Sequence, residues 1–158
     1  MTQQEFITRS EAIKSRLYRT AFMYLGGEHD ALDALDEAVY RGFRNYRKLR
    51  QDSFFETWIT RILINVCHDE LRRRSREQAV ADLPEMPQEH FDTLPLKQAI
   101  VALPEELRAV VILRYFSGFT LEETAAALDI PRGTVSSRQK RALGLLRLDL
   151  IEEQEVST

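Results

Sequence analysis

Cysteine is almost absent from the chain: 158 residues carry a single one, Cys67. One thiol closes no internal disulfide, which removes the small disulfide-stapled secreted folds and fits a reducing compartment. Long apolar runs are missing as well. No stretch approaches the ~20 apolar residues that cross a bilayer, and the opening MTQQEFITRSEAIKSRL has no apolar segment behind a basic start. Neither membrane insertion nor a secretory leader is expected, and the protein reads as soluble and cytoplasmic. Strand-like alternation is scarce and there are only six glycines, which argues against a sheet. The three histidines, His29, His68 and His90, lack metal-ligand spacing, so no metal and no cofactor is expected.

What the chain does have is charge in blocks. The formal net charge is −3, yet residues 41–76 hold ten basic against four acidic side chains, and residues 132–147 hold five basic and no acidic ones. Acidic stretches lie between and after them, at 77–95 and 148–158. A polyanion responds to the field within about a Debye length, ~8–10 Å, rather than to the sum over the chain. The acidic total therefore does not exclude nucleic acid.

Apolar residues recur at three- and four-residue spacing through most of the sequence, which predicts an all-α fold. Over Ala31–Tyr46, Leu35, Ala38, Val39, Gly42, Phe43 and Tyr46 form one stripe, with Asp30, Asp33, Asp36 and Glu37 near the helix start, where carboxylates suit the macrodipole. A second helix is expected from about Phe54 to Arg74, with Trp58, Ile62, Val66 and Leu71 as its apolar positions and Arg72, Arg73 and Arg74 at its end. Trp58 and Ile62 read as core, and so does Cys67. Residues 77–94 are rich in acid and proline and read as a flexible linker. Two small helical domains are thus expected, 1–76 and 95–150, followed by an acidic tail at 151–158.

The second domain carries a recognisable device. Leu103-Pro104-Glu105-Glu106 marks a helix start and Ser117-Gly118 its stop. Thr120-Leu121-Glu122-Glu123 is a capping-box pattern, and Leu121, Ala125 and Leu128 give the next helix its apolar face. Asp129-Ile130-Pro131 breaks that helix, and a basic one follows within DIPRGTVSSRQKRA, residues 129–142. Cap, small Ala125, break and basic second helix together describe a helix-turn-helix, with Ile130 and Val135 plugging the space between its helices. Repressors, activators and response-regulator output domains use the same motif, so alone it names no function.

The first half narrows the choice. DALDALDEAVYRGFRNYRKLR followed by FFETWITRILINVCHDELRRRSR resembles region 2 of the extracytoplasmic-function sigma factors of the sigma-70 family. LPEELRAVVILRYFSGFTLEETAAALDIPRGTVSSRQKRAL resembles their region 4, and order and spacing match over nearly the whole chain. Asp36 stands where that family often has glutamine, and Asp129 where its turn often has glycine, a left-handed conformation that Asp tolerates.

The resemblance implies a non-enzymatic subunit of RNA polymerase. Contact with the β′ clamp helices of core polymerase falls to Asp30, Asp33, Asp36, Glu37, Arg41 and Arg44, and contact with the β flap of the polymerase is expected as well. Reading and melting of the −10 element falls to Arg50, Gln51, Asp52 and Ser53 in the loop at Leu49–Phe54, to Arg61 and Asn65, and to Arg72, Arg73 and Arg74. Reading of the −35 element in the major groove falls to Arg132, Thr134, Ser136, Ser137, Arg138, Lys140 and Arg141, with Arg138 and the serines placed to reach bases and Lys140 and Arg141 to hold the backbone. Promoter DNA and an anti-sigma factor complete the implied partners. Two rival readings are a free-standing helix-turn-helix regulator and, more remotely, an enzyme using the acidic cluster.

Overall fold

The computed structural model describes residues 1–80 and 94–156, which form two compact units. Every regular element among the described residues is helical.

In the first unit α1 (Gln3–Leu25) opens on a capping box: Thr2 Oγ1 accepts from the Glu5 amide at 3.1 Å, and the Thr2 amide donates to Glu5 Oε2 at 2.6 Å. The backbone donor holds the Glu5 carboxyl below its usual value. Gly26, at φ 81°, takes the left-handed conformation that ends α1 and frees the chain to turn into α2 (Glu28–Asn45). Two short 3₁₀ turns, Tyr46–Lys48 and Asp52–Phe54, lead to α3 (Phe55–Val80). The helix expected to stop at Arg74 thus continues to Val80, so the expected domain limit at 76 falls inside it. The remainder of the expected acidic linker, residues 81–93, lies outside the described residues.

The three helices pack pairwise around Phe6, which is 1% exposed. Its ring meets Phe43 and Phe55 edge-on at 5.7 and 5.6 Å between centroids, and Tyr46 at 5.4 Å. Leu17, Leu35, Ile59 and Leu63 complete the core, each stabilising the folded unit by roughly 1.5–3 kcal/mol. Gly42 lets α2 approach its neighbours: a Cβ there would lie 2.5 Å from Ile59 Cδ1 and 3.3 Å from Phe6 Cζ. Arg16 on α1 pairs with Glu56 on α3, and Arg9 donates to the Asp52 carbonyl at 2.6 Å, fixing the loop before α3.

The second unit contains α4 (Leu94–Ala102), α5 (Glu105–Val111), α6 (Leu121–Leu128) and α7 (Arg132–Val156). Pro104 precedes α5, as expected of a helix start. From Ile112 to Phe116 the chain adopts π-helical turns, with the Ser117 amide bonded to the Ile112 carbonyl at 2.9 Å. Gly118 at φ 73° then reverses it towards Thr120, whose capping box with Glu123 starts α6 as expected. Asp129 ends α6 at φ 56° and ψ 48°. Its amide bonds back into the last turn, and the Ile130 amide reaches the Ala125 carbonyl at 3.0 Å. The small buried residue of α6 is Ala127, at 1% exposure, whereas Ala125 is half-buried, so the inward face lies slightly round from the one expected. Val135 is fully buried as expected, on a core of Ile100, Leu107, Val110, Leu113 and Phe119. α7 does not stop at residue 150 but runs on to Val156.

Candidate nucleic-acid interface

On α7 the positions opposite the buried Val135, Ala142 and Leu146 are set by the helical period of 3.6. Ser137 and Lys140 point most directly outward, flanked by Ser136 and Arg141, and all four are exposed. Lys140 and Arg141 have no ion pair among the described residues. Arg132, at the first turn, reaches Glu122 of α6 at 3.0 Å, an exposed pair that a phosphate could replace. Thr134 is half-buried; its carbonyl accepts from Ser137 Oγ at 3.1 Å. Arg138 departs from the expected set. It lies ~160° round the helix from Lys140, is 29% exposed, and faces Glu106 at 3.9 Å. It therefore flanks α5 rather than standing beside the serines.

In the first unit, α2 with the 3₁₀ turn after it and α3 enclose an open cleft of about 370 Å³, lined by Arg41, Asn45 and Lys48 on one side and by Trp58, Ile62 and Asn65 on the other. Trp58 and Ile62 are half-buried walls of this cleft and not the core positions expected of them. Cations, two amide-bearing side chains and an indole face are the groups that hold a phosphate, read a base edge and stack on a base. Arg50, Gln51 and Ser53 are exposed in the neighbouring loop, and Arg61 is exposed on α3. Asp52 faces the N-terminal ammonium at 3.6 Å.

The basic end of α3 is less open than its sequence implies. Arg72 contacts Asp69 at 3.4 Å, and Arg73 contacts Glu70 at 2.6 Å and Glu77 at 2.5 Å. The hydrogen bond with Glu70 raises the Arg73 guanidinium above its usual value and lowers the Glu70 carboxyl. Arg74 turns inward, 20% exposed, donating to the Leu25 carbonyl at 2.9 Å and pairing with Asp30 at 2.5 Å. Arg74, expected at DNA, and Asp30, expected at polymerase, instead hold each other. Three consecutive arginines do not act alike because successive helical residues point 100° apart.

The remaining acidic candidates sit on the outer side of α2. Asp36 is exposed, Asp33 lies 3.4 Å from His29, and Glu37 pairs with Arg41 at 2.7 Å. Arg44 stacks over the Tyr40 ring, 5.8 Å from its centroid. On the same outward stripe as Asp36 stand Leu32, Tyr40 and Phe43, exposed by 41%, 55% and 40%. Phe43 was expected in the buried stripe, and the other two were not singled out. A large apolar residue four positions either side of an acid, off the Leu35–Ala38–Gly42 line, was the available signal. Cys67 is fully buried as expected, and desolvation pushes its thiol up to about 12. No group of three or more metal-ligating side chains occurs among the described residues.

Comparisons with known proteins agree with this division. Sigma-70 region 2 matches residues 10–77 and sigma-70 region 4 matches residues 99–148. The RNA polymerase sigma factor SigV of Bacillus subtilis is 30% identical, over 89% of this chain and 87% of its own. The ECF RNA polymerase sigma factor SigE of Mycolicibacterium smegmatis is 35% identical, over 84% of this chain and 56% of its own. Among solved structures, the sigma factor RpoE of Bartonella quintana, solved in complex with the anti-sigma factor NepR, superposes with a TM-score of 0.76 at 23% identity, covering 93% of this chain and 97% of that one.

Proposed function

The chain belongs to the extracytoplasmic-function group of the sigma-70 family, as an alternative sigma factor directing promoter recognition and transcription initiation, and from that premise we propose which surfaces do this. The exposed stripe of α2, Leu32, Asp36, Tyr40 and Phe43, docks on core RNA polymerase, with Asp33, Glu37 and Arg44 at its rim. The α2–α3 cleft and the loop at Arg50–Ser53 take the single-stranded −10 element, with Arg61, Asn65, Arg72 and Arg73 along the strand. The outward face of α7 takes the −35 duplex: Ser136 and Ser137 at base edges, Arg132, Lys140 and Arg141 at phosphates, and Thr134 and Arg138 at the flanks. The two reading domains, expected at 1–76 and 95–150, are the two helical units, whose last helices run on to Val80 and Val156, and an anti-sigma factor that covers them is a further partner.

The observation that supports this most is the α2–α3 cleft, because a duplex-only regulator has no use for an indole, two amides and cations around one open cleft. The polymerase supplies the chemistry of synthesis, so the chain itself needs no catalytic group.

The test is to incubate the protein with core polymerase, isolate the complex, and select promoters from random duplex DNA. Selected sequences with two conserved blocks, and transcription that depends on both, support the reading. Tight sequence-specific binding by the protein alone, unaffected by core enzyme, makes it a free-standing regulator instead.

A further inference from the structure

The helix-turn-helix is tied at one side chain that the motif itself does not contain. Arg114 lies on the π-helical stretch Ile112–Phe116, half-buried. Its Nε donates to Gln139 Oε1 of α7 at 2.9 Å, and its Nη1 donates to the Phe119 carbonyl at 2.6 Å. Phe119 is the residue before Thr120, the N-cap of α6, and is 2% exposed. One guanidinium therefore joins the end of the helix before the motif, the start of its first helix and the middle of its second.

We propose that Arg114 is a positioning residue for −35 recognition, setting the rotation of α7 about its own axis through Gln139. This inference rests on the reading of α7 as the −35 helix. The reasoning is geometric. Gln139 adjoins the outward Lys140 and follows Ser136 by three positions, so holding its amide on the inner side fixes where those two side chains aim. The buried contacts of Val135, Ala142 and Leu146 are apolar and non-directional, and they tolerate small rotations. The nearest polar contact besides this one, Arg138 with Glu106, is 3.9 Å long with Glu106 73% exposed, and holds little. A charge-assisted hydrogen bond to a half-buried guanidinium is directional, and the planar fork of Arg serves two acceptors at once, which a Lys ammonium on a flexible stem does not. The π-helical turns matter here because they alter the register between α5 and the residues after it, which brings position 114 to face α7.

The test uses the full chain assembled with core polymerase and two duplex probes: a promoter selected by the unaltered holoenzyme, and the same promoter with its −35 element scrambled. Arg114→Ala and Gln139→Ala are each expected to lower the ratio of the two affinities about tenfold, the scale of one misplaced base contact, while affinity for the scrambled probe stays unchanged. The double variant should lose no more than either single one, and Gln139→Glu, which keeps the acceptor, should retain the ratio. Circular dichroism and the thermal midpoint identify any variant that has not folded; Arg114→Lys then decides, since charge is kept and only the fork is lost, and the ratio should still fall. A ratio unchanged in every folded variant, or an equal loss on both probes, overturns the inference. If unaltered holoenzyme itself does not distinguish the probes, the −35 reading of α7 fails with it; if it does and the variants do too, only the role of Arg114 fails.

Discussion

Arg74 and Asp30, 44 residues apart, meet at 2.5 Å, and the same guanidinium caps the Leu25 carbonyl at the end of α1. One side chain on α3 thereby fixes the corner between α1 and α2, at a helix terminus whose carbonyls need donors. Arg74→Ala should lower the stability of the first unit by about 2 kcal/mol, the range for hydrogen bonds to charged groups. Arg72→Ala, two residues earlier on an exposed face, should leave it unchanged. Urea unfolding of the two variants decides whether the basic run is divided between structure and surface in this way; equal losses would contradict it.

Gly42 on α2 faces Ile59 of α3 and Phe6 of α1. Because a Cβ at this position would press on Ile59 Cδ1 at 2.5 Å, Gly42→Ala should destabilise the fold by about 1–3 kcal/mol despite the higher helix propensity of Ala. Adding Ile59→Val removes the obstructing methyl, so the double variant should recover part of that loss. A non-additive cycle in thermal or urea unfolding is the expected outcome.

The helix-turn-helix and the helix before it are legible from spacing, because caps such as Thr120 with Glu123 and a break such as Asp129-Ile130-Pro131 act locally, whereas α1 and α4 are not among the expected helices. The end of α3 was not, since Arg73 with Glu77 extends the helix through an i,i+4 pair past the point where the acidic composition suggested a stop. Which side of a helix faces a neighbour is a tertiary property. Trp58 and Ile62 look identical to core positions until α2 and α3 are seen to part and leave a cleft between them. The same applies to Arg138 and to Arg114: one is expected at the DNA and flanks α5, and the other carries no local signal of its two acceptors, which lie on other elements.

Cys67 contributes to pH dependence in one direction. Its folded value, about 12, lies above the ordinary 9.0, so its contribution to stability is fully present below pH 9 and is lost as pH rises towards 12. Relative to Cys67→Ala, the unaltered protein should therefore lose stability over pH 9–12. Glu70 works the opposite way: its depressed carboxyl adds stability above the ordinary carboxylate range that disappears on acidification. A Cys67 thiol that reacts readily with a water-soluble alkylating reagent in the folded protein at pH 8 would contradict the first of these.

On α7, Lys140→Ala and Arg141→Ala should each weaken holoenzyme binding on matched and scrambled −35 probes alike, and lower the slope of affinity against salt by about one phosphate. Ser137→Ala should act on the matched probe only. Filter binding across a salt series separates the two behaviours, and identical salt slopes for all three variants would remove the division between phosphate and base contacts.

Trp58 is the single tryptophan of the chain, so the α2–α3 cleft carries its own reporter. A base stacked on its indole should quench that fluorescence, whereas duplex DNA, whose bases are already stacked, should not. Titration of the full chain with short single-stranded oligodeoxynucleotides is expected to give saturable quenching, weakened about tenfold by Asn65→Ala if that amide reads the base edge, and reduced on every sequence by Lys48→Ala if that ammonium holds the phosphate. The two substitutions lie on opposite walls, so their effects should add. Quenching that is the same with duplex and single strand, or untouched by both substitutions, would place the base-reading site away from the cleft and return it to the loop at Arg50–Ser53.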